Sequence, residues 1–110
     1  MLNRGVLIVR PAQPFLDWAA TLDDSGLVPN TDGEQTLYLV PSFEDDDEAA
    51  QVLGLVFAEV FERELDAWHT DDSAWPKQRT LASFKQWFKI ELHSMVEDLC
   101  SDELVDDDDV

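Results

Sequence analysis

Residues 84–99, Phe84-Lys85-Gln86-Trp87-Phe88-Lys89-Ile90-Glu91-Leu92-His93-Ser94-Met95-Val96-Glu97-Asp98-Leu99, read in two ways, and the fold class turns on the choice. As a helix, Leu92, Met95, Val96 and Leu99 continue the spacing begun by Phe84 and Phe88. As a strand, Ile90, Leu92 and Val96 alternate with Glu91, His93 and Glu97. The aromatic start predicts a helix over residues 80–88 in either case, with Thr80 at its beginning. Periodicity leaves residues 89–99 open.

The segments before it are clearer. Residues 70–76 are a turn-rich break, and before them lies the strongest helix signal of the chain, residues 43–68. Ser42 is placed to cap this helix with Asp45 reaching back, and the acids Glu44 to Glu48 sit where the helix dipole favours negative charge. Val52, Leu53, Val56, Phe57, Val60, Phe61, Leu65 and Trp68 form its apolar stripe, with Glu59, Glu62, Arg63 and Asp66 on the other face. A strand over residues 36–40 precedes it, ended by Pro41. A Gly- and Pro-bearing loop over 23–35 precedes that strand.

Residues 13–22 predict a short amphipathic helix with Pro14 in its first turn and Phe15, Trp18, Ala19 and Leu22 on one face. Residues 5–10 are a β-branched run, apolar on both faces as in a strand covered on two sides, and closed by Pro11. The order strand, helix, strand permits a parallel pair, while the long loop permits an antiparallel one.

The stretches Arg10-Pro11, Gln13-Pro14-Phe15-Leu16-Asp17-Trp18, Tyr38-Leu39-Val40-Pro41, Ala67-Trp68-His69-Thr70-Asp71, Trp75-Pro76 and residues 87–99 resemble a group of small uncharacterised bacterial proteins. Proteins of that type are richer in β-branched residues near the positions of Leu92 and Glu97. The resemblance therefore implies a strand over 89–99; it brings no activity, substrate or cofactor. The resulting expectation is an α+β domain over residues 1–100, with a small sheet (5–10, 36–40, 89–99) covered by helices (13–22, 43–68, 80–88). The alternative is a mostly helical domain with two short strands.

Charge is the most unusual feature of the composition. The 110 residues carry 25 Asp and Glu against 7 Lys and Arg, a formal net charge of -18, while 45% hydrophobic residues suffice for a core. A field of that sign repels nucleic-acid phosphates and anionic lipid headgroups and favours basic proteins. Cys100 is the only cysteine, so no intrachain disulfide is expected. It has acids rather than bases around it, so packing at the core boundary is expected rather than reactivity. No export signal or membrane anchor is expected, and a cytoplasmic location is. Residues 101–110 hold six acids and predict a disordered tail.

Candidate chemistry is sparse. His69 lies beside Asp71 and Asp72, and His93 lies two residues from Glu91, on one side if the segment is a strand. His69, Glu91 and His93 are thus the weak acid–base candidates, and His69, Asp71, Asp72 and His93 the weak metal candidates. A metal needs three or four converging ligands, which only the fold could supply. Residues 30–33 resemble the centre of a calcium loop, but aligning Gly33 with the turn glycine puts Val28 and Leu39 where carboxylates belong. No cofactor is implied.

Between Ser73 and Ile90 there is no acid, while Lys77, Arg79, Lys85 and Lys89 supply four of the seven cations, with Lys85 and Lys89 expected on one helix face. This segment is expected to dock on the acidic long helix or to form a second contact surface or a self-association face. The leading functional expectation is a non-catalytic interaction protein that presents Glu59, Glu62 and Asp66, with Lys85 and Lys89 as a second patch, to a basic partner. Imitation of nucleic-acid charge is its extreme form. The alternative is a metal-dependent or acid–base enzyme using His69, His93 and Glu91. Self-repulsion at this charge predicts that moderate salt raises the melting temperature; a flat or falling response in scanning fluorimetry would show the charges already compensated in the fold.

Overall fold

The computed structural model describes residues 2–22 and 35–105. The expected loop up to residue 34, with its calcium-like stretch, and residues 106–110 of the expected tail lie outside the described residues. The elements are strand β1 (Arg4–Pro11), helix α1 (Gln13–Thr21), strand β2 (Thr36–Pro41), helix α2 (Asp46–Trp68), a 3-10 turn (Asp72–Ala74), helix α3 (Leu81–Trp87) and strand β3 (Phe88–His93). The three strands form one sheet in the order β2-β1-β3, antiparallel throughout, with Leu7 opposite Tyr38 on one side and Leu92 on the other. The fold is α+β, and no helix among the described residues is long and apolar enough to cross a membrane.

β1 is central because its β-branched residues suit a strand paired on both sides. Gly5, Leu7 and Val9 are buried under the helices, while Val6 and Ile8 remain half-buried on the other face. Apolar residues on both faces thus mark a strand covered by helices on one side and open on the other. β2 begins opposite Val9, at the end where β1 finishes, so its direction is set by where the preceding connection delivers the chain.

The ambiguous stretch is partitioned between helix and strand with no loop between them. Thr80 caps α3 by accepting a hydrogen bond from the Ser83 amide at 3.1 Å, and Ser83 Oγ accepts from the Thr80 amide at 2.8 Å. Phe88 ends the helix by donating to the Phe84 carbonyl and is already opposite Pro11 in the sheet. The Ala12 amide closes the corner by donating to the Trp87 carbonyl at 2.8 Å.

The strand expected over 89–99 stops at His93. Its pairing with β1 ends at Val6 opposite His93, and beyond it a backbone bond runs from the Leu2 N–H to the Val96 carbonyl at 2.7 Å. Met95 and Leu99, which the helical reading would have buried, are 76% and 99% exposed. Cys100 is exposed too, against the expectation of boundary packing, because no element continues this far.

The start of α2 also differs from expectation. Asp45, not Ser42, is the cap, accepting from the Glu48 amide at 2.8 Å, while Glu48 Oε2 accepts from the Glu44 amide at 2.8 Å. The reason is Phe43, which is buried and lies so close to Gly5 that a Cβ there would come within 2.5 Å of its ring. The lead-in must therefore cross the sheet before the helix can begin, and Gly5 provides the space.

The core centres on aromatic side chains. Phe61 from α2, Phe84 from α3 and Phe88 from β3 meet with ring centroids 5.2–5.7 Å apart, joined by Phe15 at 5.4 Å from Phe88. No polar or charged residue is buried among the described residues. Phe61→Ala should therefore cost about 3–5 kcal/mol in urea unfolding followed by tryptophan fluorescence. Gly54 faces open space in mid-helix, so Gly54→Ala should stabilise by about 0.5–1 kcal/mol in the same assay.

Candidate functional site

The acidic stripe of α2 follows from helical spacing, which puts Glu59, Glu62 and Asp66 on its solvent side, all exposed. Two of these acids have cationic neighbours of their own. Arg63 reaches back one turn to Glu59 at 3.0 Å, and Arg79, from the acid-free segment, reaches Glu62 at 3.4 Å. Arg79 is placed by a hydrogen bond to the Pro76 carbonyl at 2.9 Å and by the Trp75 ring, 5.9 Å from its guanidinium carbon. The acid-free segment thus docks on the long helix at Arg79. Glu59, Glu62 and Asp66 border a shallow hollow that Trp75 also lines.

Trp75 itself is half-buried and donates from its indole to the His69 carbonyl at 2.8 Å, while Trp18 donates to the Ala74 carbonyl at 2.9 Å. These two indoles hold the connection between α2 and α3 against the core. Lys85 and Lys89 do not share a face. Lys85 is on α3, beside a hollow that Asp46 lines at the start of α2, and Lys89 is on β3, because the chain changes from helix to strand between them.

The two histidines occupy different places. His69 caps the end of α2 by donating its amide to the Leu65 carbonyl at 2.8 Å. Asp71, beside it, accepts from the Ser73 hydroxyl at 2.7 Å and the Ser73 amide at 3.0 Å; these bonds, with a smaller contribution from His69, hold its carboxyl below the usual range. His93 lies on the open face of the sheet, its Nε2 3.3 Å from Glu91, which also lies 3.8 Å from Arg10.

The expected same-side pairing of His93 with Glu91 is present. The two imidazoles are not brought together. His93 is opposite Val6, whereas Trp68, the neighbour of His69, shares a cleft with Val9 and Pro11 on the helix side at the other end of β1. Those ends are five residues apart, about 16 Å along the strand. Among the described residues no three His, Cys, Asp or Glu side chains are placed to hold a metal ion.

Glu64 is a residue the sequence reading missed. It belongs by spacing to the apolar stripe between Phe61 and Trp68, and that position was the available signal. It lines a cleft of about 170 Å³ with Phe15, Thr36 and Trp68. Burial pushes its carboxyl up, and a hydrogen bond with Thr36 offsets part of that rise. Tyr38 is pushed up to about 12, by burial first and by Glu64 second, with Arg63 opposing.

Compared with known proteins, the chain matches no family model, no curated protein and no solved structure.

A carboxyl raised by folding binds its proton more tightly in the native state, so its contribution is most favourable below the unfolded value and is lost as pH rises through the folded one. Glu64→Gln, which keeps a partner for Thr36, should therefore raise the melting temperature at pH 7 and lose that advantage below about pH 4. Thermal melts of both proteins across this range provide the check.

Proposed function

We propose that this chain is a cytoplasmic bacterial interaction module, without catalytic activity, that offers a rigid acidic surface to a basic protein. The observation that carries the reading is the α2 stripe: Glu59, Glu62 and Asp66 stand outward on a helix of 23 residues anchored through Phe61 and Leu65. A backbone held this way spends little ordering entropy when a partner arrives. The net charge of -18 adds long-range attraction for cations and repulsion of nucleic acid and anionic lipid.

General attraction of a basic protein is better supported than imitation of DNA. Imitation of DNA needs a continuous run of uncompensated anions. Two of the three acids have arginine neighbours within the chain. An acid–base or metal-dependent enzyme built on His69, Glu91 and His93 has less support, since the imidazoles lie at opposite ends of β1.

The test compares capture by the full chain with capture by a Glu62→Lys/Asp66→Lys variant that melts normally. A basic protein should be retained at low salt, released at high salt, and retained at least about tenfold less by the variant. Absence of any salt-sensitive basic partner, or equal capture by the variant, would remove the reading.

A further inference from the structure

β2 is an edge strand shielded within its own sequence by Pro41 alone, at its last residue. Thr36–Pro41 contains no charged residue, and its register against β1 is unbroken, so no bulge twists it away. Among the described residues no other strand lies along its free side. Part of its backbone N–H and C=O groups therefore point outward unpaired by any strand. Leu37 and Leu39 flank this edge on the open face of the sheet, 59% and 48% exposed. The edge also borders a hollow of about 690 Å³ that Leu37 and Leu39 line from the sheet and Val56, Glu59 and Arg63 line from α2.

What already lies in that hollow indicates what it accepts. Leu104 and Val105 line it, yet they are 62% and 72% exposed and make no backbone hydrogen bond to β2. The chain's own end thus marks a seat for an extended aliphatic segment without filling it. The charge around the seat is acidic on balance: Glu59 and Glu64 on α2 and Asp102 and Glu103 just before Leu104 outnumber Arg63, which lines the hollow beside Glu59. At -18 per chain, a second copy meets repulsion that a cationic segment does not.

Resting on the reading of a module for basic partners, the geometry points to strand addition at β2: an extended segment of the partner, alternating lysine or arginine with aliphatic residues, pairs with the free edge. Its aliphatic side chains lie beside Leu37 and Leu39, and its cations lie on the helix side near Glu59 and Glu64. The alternation follows from the pleat, which sends successive side chains to the two faces of the sheet. Main-chain pairing supplies affinity and the two faces supply selectivity.

The probe is an octapeptide of alternating lysine and valine, titrated into the full chain. It should protect the β2 amides from hydrogen exchange. The same peptide with alternate backbone nitrogens methylated, which keeps its charge but cannot pair, should bind about tenfold more weakly. Leu39→Glu, at an exposed position where circular dichroism should not change, should weaken the parent peptide although it adds a negative charge. Equal binding of the two peptides, or no protection at β2, overturns strand addition and leaves the acidic-module reading to its own charge-reversal test. Protection already present in the free chain overturns it as well. Sedimentation as a dimer would then assign the edge to a second copy, and loss of protection in Leu104→Asp would assign it to the chain's own end.

Discussion

The rest of the structure depends on the contact among Phe61, Phe84 and Phe88. Each is at most 2% exposed, and each comes from a different element. Because Phe84 and Phe88 are four residues apart, a helix would put both on one face, and the native chain keeps both in the core while changing from helix to strand between them. Phe84 enters from the last turn of α3 and Phe88 from the first residue of β3. The edge-on meeting of Phe61 with Phe88, 89° between rings, locks the long helix to the sheet at this corner.

Filling the core with hydrocarbon and aromatic rings leaves the carboxylates on the surface. No charged group is buried among the described residues, and the acid closest to being so, Glu64, carries a raised carboxyl pKa as its cost. The cations are distributed by topology rather than by sequence neighbourhood. Arg63 and Arg79 attend the acidic helix, while Arg4, Arg10 and Lys89 share the open sheet face with Val6, Ile8, Leu37 and Leu39. The protein therefore has an acidic helical side and a much less acidic, partly apolar sheet side. The edge of β2 lies where the two meet.

Much of this is legible in the sequence. The long helix, the Thr80 cap, the short proline-started helix and both early strands follow from periodicity and capping chemistry, which act within a few residues. Ser42 was misread as a cap because its residue type fits; what displaces it is the distant demand that Phe43 lie over Gly5. Glu64 escaped notice because acids on a helix are ordinarily read as solvent-facing, and only the approach of Thr36 makes that position a half-buried one. The pairing of Glu91 with His93 was readable from alternation, whereas the separation of His93 from His69 depends on the direction of β1.

The sequence by itself determined most of the core residues, that the surface is acidic, and where α1 and α3 begin, since these depend on side-chain chemistry and on spacing along the chain. The tertiary structure decided where the strand over residues 88–93 begins and ends, that β2 runs antiparallel, that Lys85 and Lys89 part company, and that among the described residues no second strand lies beside β2. Each of those outcomes depends on which backbone lies alongside: a strand becomes a strand when another strand takes up its hydrogen bonds. For Phe88 to His93 that partner is β1, more than seventy residues earlier in the chain.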